Sequence, residues 1–143
     1  MPSLVFPALR ASVLLCALNL PVGAYAAGLA GNWYDQTGNL VVTIYQSGPM
    51  YAASLPNSQS AVPSSNGANP GQLRRSLSTF NADGSHVHFT ISTVVTAPGM
   101  TVNIWNDYDL DLSADGLRLT GTNTSHDDSG NGPSTFTVTL FSR

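Results

Sequence analysis

Lysine and glutamate are both absent from this chain of 143 residues, and only 9% of its residues are charged. The formal charge is −3, made up of five scattered arginines and eight acids that are all aspartate. Nucleic-acid binding is disfavoured, because it needs a clustered cationic surface that displaces counterions from phosphates. Coiled coils and long helical bundles, which depend on Glu, Lys, Ala and Leu, are disfavoured too. A hydrophobic content of 42% is nevertheless enough to bury a core.

Cysteine is nearly absent as well: Cys16 is the only one, and it lies in an N-terminal segment typical of a secretory signal peptide. Arg10 supplies a positive charge, residues 11–20 form a short apolar run, and Ala24-Tyr25-Ala26 matches the small-x-small cleavage pattern. The apolar run is well short of the ~20 residues needed to span a bilayer. The sequence therefore predicts a signal peptide over residues 1–26, no membrane span, and a secreted or periplasmic protein.

The domain predicted over residues 27–143 has no cysteine, and it shows no convincing helical periodicity. Short runs of alternating apolar and polar residues, separated by turns with Gly, Asp or Asn, predict strands. The eight candidates are Ala30–Gln36, Leu40–Gln46, Met50–Leu55, Gln72–Phe80, Ser85–Val95, Thr101–Leu112, Leu117–Thr124 and Ser134–Phe141. Tight turns without crossover helices favour an all-β fold, an eight-stranded antiparallel up-and-down barrel, with a two-sheet sandwich as the alternative.

The second predicted strand is apolar on both faces. One face carries Leu40, Val42 and Ile44, and the other carries Val41, Thr43 and Tyr45. We expect Leu40, Val42 and Ile44 to lie on the outer face, where a second copy of the chain would cover them. A homo-oligomer is therefore one predicted assembly.

The segment Pro56–Gly71 breaks the strand pattern, since it is rich in Pro, Gly, Ser and Asn and has no aromatic or charged residue. Such a composition predicts a mobile loop. Its functional interpretation is a lid across the mouth of the barrel, and the alternative is an insertion without a role.

The start of the domain carries a family motif, Gly31-Asn32-Trp33-Tyr34-Asp35-Gln36-Thr37-Gly38-Asn39. It resembles the first hairpin of the avidin and streptavidin family, which reads Gly-Thr-Trp-Tyr-Asn-Gln-Leu-Gly-Ser, and its Gly-x-Trp part also marks the wider calycin group. The last strand, with Ser134-Thr135-Phe136-Thr137, is similar to the Asp-Thr-Phe-Thr of the family. The resemblance implies an eight-stranded barrel that binds a small molecule in its mouth. It also implies that Trp33 plugs one end of the barrel, with an arginine packed across it. Arg143 and Arg118 are the candidates, and strand alternation favours Arg143 because it places Arg118 on the outer face.

Carried over residue by residue, the resemblance places the biotin contacts of the family on Asp35, Asn39 and Ser134, where the family has Asn, Ser and Asp. Tyr51 lies near the expected tyrosine of the family. Because an ionised Asp35 only accepts hydrogen bonds, it disfavours the ureido carbonyl of biotin and favours a ligand with N–H or cationic groups. We therefore expect a ligand other than biotin, with true biotin binding as an alternative. The predicted ligand-binding residues are Asp35, Asn39, Tyr45, Tyr51, Tyr108 and Ser134.

No enzyme, metal site or cofactor is predicted, because the sequence contains no nucleophile elbow and no zinc-protease motif. The His86/His88 pair and the strand face formed by Asp107, Asp109 and Asp111 are interpreted as solvated, the latter protecting a sheet edge. The alternative function comes from another class: a protein-binding scaffold, such as a secreted inhibitor or adhesin. A ligand carrier should leave its interior open, whereas a scaffold should fill it with apolar side chains.

Overall fold

The computed structural model describes residues 28–56 and 71–143, together with the backbone of residues 59–62. The strands in these ranges are β1 (Gly31–Tyr34), β2 (Leu40–Ser47), β3 (Met50–Ser54), β4 (Gln59–Val62), β5 (Gly71–Ala82), β6 (His86–Ala97), β7 (Met100–Leu112), β8 (Arg118–Asp127) and β9 (Ser134–Ser142). The described ranges contain no helix, and hence none long and apolar enough to cross a membrane. The signal peptide predicted over residues 1–26 lies outside them.

All strand pairs are antiparallel, and the order across the sheet is β3-β2-β1-β9-β8-β7-β6-β5-β4. The sheet curls round so that β3 approaches β5, and the Tyr51 hydroxyl lies against Gly84 in the turn after β5. Eight strands thus form a nearly closed barrel, and β4 is a short extra strand on β5. The predicted fold class is confirmed, and the two-sheet alternative is wrong.

Aspartate and glycine shape the turns between the strands. Asp83 Oδ1 accepts hydrogen bonds from the backbone N–H groups two and three residues later, at 3.0 and 2.9 Å. Asp115 Oδ1 accepts one from the N–H two residues later, at 3.0 Å. Gly84 and Gly116 follow these aspartates with φ of 97° and 69°, a left-handed conformation that glycine adopts without steric cost. The repeated Asp-Gly pairs therefore give the same local geometry twice.

The inner face of β5–β9 is built in rows, because antiparallel register places residues of neighbouring strands side by side. The first row is Ala82, Val87, Leu110, Gly121 and Val138. The second row is Phe80, Phe89, Tyr108, Asn123 and Phe136, of which Phe136 is 57% exposed. The third row is Leu77, Ile91, Asn106, Ser125 and Ser134. The fourth row is Arg75, Thr93, Ile104 and Asp127. The interior thus changes from an apolar end at the first row to a polar end at the fourth.

Trp33 belongs to the buried core, with no exposed surface, and its Nε1–H donates to the Leu29 carbonyl oxygen at 2.9 Å. Leu119 and Leu140 extend the same core beyond the first row. Arg143 packs over the ring of Tyr34, with 5.5 Å between its Cζ and the ring centroid. The expectation that Arg143 covers Trp33 is therefore wrong, because Trp33 points into the barrel and Tyr34 lies on the opposite face of β1.

The prediction that Leu40, Val42 and Ile44 form an exposed outer face is wrong. Val42 and Ile44 point into the barrel and are 0% and 2% exposed. The register between β1 and β2 skips from Val42 to Leu40, which marks a β-bulge at Val41. The bulge brings Leu40 and Val41 to one interior cavity, and this explains why β2 is apolar at consecutive positions.

The prediction of a loop over Pro56–Gly71 is wrong for Gln59–Val62, which form β4 and pair with residues 71–74 of β5. Backbone hydrogen bonding to an open strand edge needs no apolar side chain, so composition did not reveal this strand. The lid interpretation rests mainly on residues outside the described ranges.

Candidate functional site

A cavity of about 520 Å³ lies inside the barrel toward its polar end. Its apolar wall is formed by Leu40, Val41, Pro56, Leu73 and Ile91. Its polar groups come from Asp35, Asn39, Arg75, Thr93, Asn106 and Tyr108. A volume of this size, with an apolar wall and a few converging polar groups, is typical of sites for small organic molecules.

Strand alternation places the polar groups of the cavity. On β7, Asn106 and Tyr108 are two residues apart and therefore face the same side of the sheet. On β5 and β6, Arg75 lies directly opposite Thr93. Because the barrel curves, these inward side chains converge on one space.

The Tyr108 ring is held by stacking on Phe89, with ring centroids 4.6 Å apart and planes inclined by 12°. Burial raises the pKa of the Tyr108 hydroxyl above its ordinary value, while the nearby positive charge of Arg75 acts in the opposite direction and Asp35 adds to the increase. At neutral pH the hydroxyl is therefore protonated and able to donate a hydrogen bond within the cavity.

The Asp35 carboxylate is engaged within its own turn. Its Oδ1 accepts hydrogen bonds from the Thr37 backbone N–H at 2.9 Å, the Thr37 hydroxyl at 2.7 Å and the Asn39 backbone N–H at 2.8 Å. Its Oδ2 accepts one from Asn39 Nδ2 at 3.1 Å. The hydrogen bond from the Thr37 hydroxyl is the main cause that lowers the pKa of Asp35 from 3.8 to about 2. The carboxylate is therefore ionised, and most of its acceptor capacity is used by the turn.

The same turn occurs a second time, where Asp127-Asp128-Ser129-Gly130-Asn131 repeats the pattern Asp-x-Thr/Ser-Gly-Asn of residues 35–39. Asp127 Oδ1 accepts hydrogen bonds from the backbone N–H and hydroxyl of Ser129. The glycines, Gly38 and Gly130, have φ of 89° and 90°. In each turn the asparagine amide donates to the intervening hydroxyl, at 2.7 Å in the first and 2.8 Å in the second. The pattern therefore encodes a turn by itself, since residues 127–131 do not line the cavity.

Of the predicted ligand-binding residues, the structure brings Asp35, Asn39 and Tyr108 together on the cavity. Tyr45 is half exposed on the outer face of β2, and its hydroxyl lies 3.0 Å from that of Ser54. Tyr51 packs against the core and reaches Gly84, and Ser134 is exposed at the start of β9.

Sequence reasoning missed Arg75, the cationic group of the cavity. The signal was present, because Leu73, Arg75 and Leu77 alternate along β5 and share one face. An arginine between two apolar residues of an inward face indicates a charge on the lining of the barrel; Arg75 lines the cavity, although the residue as a whole is exposed.

Asn123 is a further inward polar residue, opposite Tyr108 in the second row. Its side-chain oxygen is buried and has no hydrogen-bond partner among residues 28–56 and 71–143. A buried acceptor without a partner costs ~1–3 kcal/mol. The interior therefore contains at least one buried polar group whose hydrogen-bonding capacity is unused among the described residues.

The outer face of β6–β8 pairs its own histidines and aspartates. His86 Nδ1 lies 2.8 Å from Asp111 Oδ1, and His86 Nε2 lies 3.4 Å from Asp109 Oδ1. Within the described residues, no three His, Cys, Asp or Glu side chains come together as a metal site. The interpretation that the aspartates of β7 protect an edge is wrong, because β7 pairs with β6 on one side and β8 on the other.

The nearly closed barrel of eight antiparallel strands is compatible with a calycin-like fold. No protein-family model, curated protein or solved structure matches the chain.

Proposed function

We propose that this protein is a secreted or periplasmic, avidin-like member of the calycin group that binds a small organic molecule in its barrel. The observation that carries the proposal is the open cavity of about 520 Å³, where an apolar wall meets hydrogen-bonding groups. A barrel that served only as a scaffold for protein binding would gain stability by filling this space with apolar side chains. The proposal is binding without chemical conversion of the ligand.

The polar residues of the inner face support the proposal. Thr93 is 7% exposed and Asn106 is partly buried, yet both direct polar groups toward the cavity. A bound molecule with matching groups could form hydrogen bonds with these side chains. The buried oxygen of Asn123, which has no partner within the part of the chain that the structure describes, is a further inward polar group, paired with Tyr108.

The ligand we propose is not biotin. Asp35 is ionised and occupied by its own turn, so it offers no donor to a ureido carbonyl. Ser134, the other position that the resemblance assigns to the ureido ring, is exposed and does not line the cavity. Calorimetry with biotin tests this point directly, and submicromolar binding by the wild-type protein would contradict it.

The test of ligand binding compares two substitutions on neighbouring residues of β6. Thr93→Phe inserts a ring into the cavity, whereas Ser92→Phe places the same ring on the outer face of the sheet. We expect the neutral apolar dye N-phenyl-1-naphthylamine to bind the wild-type and Ser92→Phe proteins, and to bind Thr93→Phe at least tenfold more weakly. Far-ultraviolet circular dichroism checks that each variant is folded. Dye binding that is absent from the wild-type protein, or equal in both variants, would refute a cavity site.

A further inference from the structure

We infer that the cavity selects amphipathic organic anions, with the anionic group held by Arg75 and the apolar portion packed against Leu73 and Ile91. The inference rests on the proposed function, because it names the ligand class of the same site. It differs from the expectation drawn from Asp35, which pointed to ligands with N–H or cationic groups.

The first step is that Arg75, an exposed residue that also lines the cavity, brings to it a charge without an ion-pair partner. None of the ion pairs among the described residues includes it. The rest of the chain contains no aspartate or glutamate that could supply a partner. Arg118, in contrast, pairs with Asp115 at 3.1 Å between Nη2 and Oδ2. Arg75 therefore keeps the capacity to bind a carboxylate or sulfonate through two parallel hydrogen bonds.

The second step is that the remaining polar groups around Arg75 can all donate hydrogen bonds to an acceptor on the ligand. The Tyr108 hydroxyl is protonated, and the Asn106 amide and the Thr93 hydroxyl can also donate to a ligand. The opposing charge on the cavity wall is Asp35, whose two oxygens already accept four hydrogen bonds from Thr37 and Asn39. Asp35 keeps its negative charge, but most of its acceptor capacity is used by its own turn, whereas the guanidinium of Arg75 can donate directly to a ligand anion.

The third step is that an apolar surface adjoins the charge. Leu73 lies two residues before Arg75 on the same face of β5, and Ile91 lies two residues before Thr93 on β6. Together with Leu40 and Val41, which line the same cavity, these side chains offer a lining for a hydrocarbon chain or ring. A small inorganic anion would leave this lining empty, so the site fits a molecule with both parts.

The test uses three probes that share a chain of eight carbons and differ in the charge of the end group: octanoate, octanol and octylammonium. Isothermal titration at pH 7 measures the three dissociation constants. A charge-assisted hydrogen bond corresponds to about a tenfold to hundredfold difference in affinity. We expect octanoate to bind at least tenfold more tightly than octanol, and octylammonium to bind more weakly than both.

Variants of the two adjacent arginines separate a specific contact from general electrostatics. Arg75→Gln should remove the preference for octanoate, and Arg75→Lys should retain part of it. Arg74→Gln makes the same change in net charge on the outer face of β5 and should leave the preference intact. Circular dichroism and binding of the neutral dye check that the cavity survives in each variant.

Two results would overturn the inference alone: equal affinity for octanoate and octanol in a protein that binds the neutral dye, or an equal loss of preference in Arg74→Gln and Arg75→Gln. If neither the dye nor any of the three probes binds the folded wild-type protein, the proposed function fails together with this inference.

Discussion

The two ends of the barrel are made by the same strands but contain different side chains. At the apolar end, Val87 and Leu110 are completely buried neighbours on β6 and β7. Six residues further along β6, Thr93 lies beside Arg75 on β5, and the interior holds a cavity. The comparison indicates that the two ends have different roles within one sheet. The apolar end supplies most of the hydrophobic stabilisation, and the polar end contains the cavity in which we propose that a ligand binds.

The largest expected effect comes from the apolar end. Trp33→Ala should lower the free energy of unfolding by about 3–5 kcal/mol, because it empties a completely buried aromatic site. Urea denaturation measures this, and Trp105→Ala, at a half-buried position on the outer side of β7, is the control. Dye affinity of the folded fraction should be unchanged. A variant that is as stable as wild type, or that loses dye binding while folded, would contradict the division between the two ends.

Gly121 tests how tightly the first row is packed. A methyl group added at Gly121 would overlap the backbone oxygen of Asp109, so β7 would have to move. We expect Gly121→Ala to cost about 1–3 kcal/mol, as overpacked sites do. The control is Gly132→Ala, where the added methyl group meets no atom within 4 Å. Equal stability of the two variants would show that the strand spacing at the apolar end is less constrained than the structure indicates.

Comparing the two copies of the turn tests whether Asp35 stabilises its own turn or contacts a ligand. The lowered pKa of Asp35 stabilises the fold above pH 3.8, and this contribution is lost as the pH falls toward about 2. Asp35→Asn and Asp127→Asn should both lower the melting temperature slightly at pH 6, and both should flatten the loss of stability between pH 4 and 2. Thermal melts across this range measure the effect. Neither substitution should change the preference for octanoate, and a change in Asp35→Asn alone would identify Asp35 as a ligand contact.

The smallest effect is expected on the outer face. The hydrogen bond to Asp111 is the main cause that raises the pKa of His86 above 6.5. The stabilisation is fully present below pH 6.5 and is lost as the pH rises through the folded-state pKa. Nuclear magnetic resonance titration should give a higher pKa for His86 in wild type than in Asp111→Asn. Since exposed ion pairs contribute little, the melting temperature should barely change, and a large change would mean that the outer face also stabilises the apolar end.

The strands were predictable because a barrel with one buried face imposes alternation on its sequence. Val87, Phe89 and Ile91 show this pattern on β6, and the core uses all three. Which side chains of β2 point into the barrel was not predictable from the sequence, because the bulge at Val41 depends on how β1 and β2 pair. A slip of one residue in register moves every side chain to the other face.

The candidate site was predictable only in part. The first hairpin indicated Asp35 and Asn39, and both lie on the cavity, as does Tyr108. The second copy of the pattern at residues 127–131 also indicates that residues 35–39 form a turn of their own. The place of Arg75 on the cavity could be recognised only from the closed barrel. Strand alternation shows which face of the sheet a residue occupies, but it does not show which distant strands line the same cavity.

The pairing of β1 with β9 has a consequence for the order in which the chain folds. From β5 to β9, each strand pairs with the next across a short turn, so hairpins can form with little loss of chain entropy. The β1–β9 contact between Trp33 and Ser142 instead joins opposite ends of the domain. We therefore expect the β5–β9 hairpins to form first and the β1–β9 seam to close after the rate-limiting step. In stopped-flow experiments, Trp33→Ala should then accelerate unfolding while leaving the folding rate nearly unchanged.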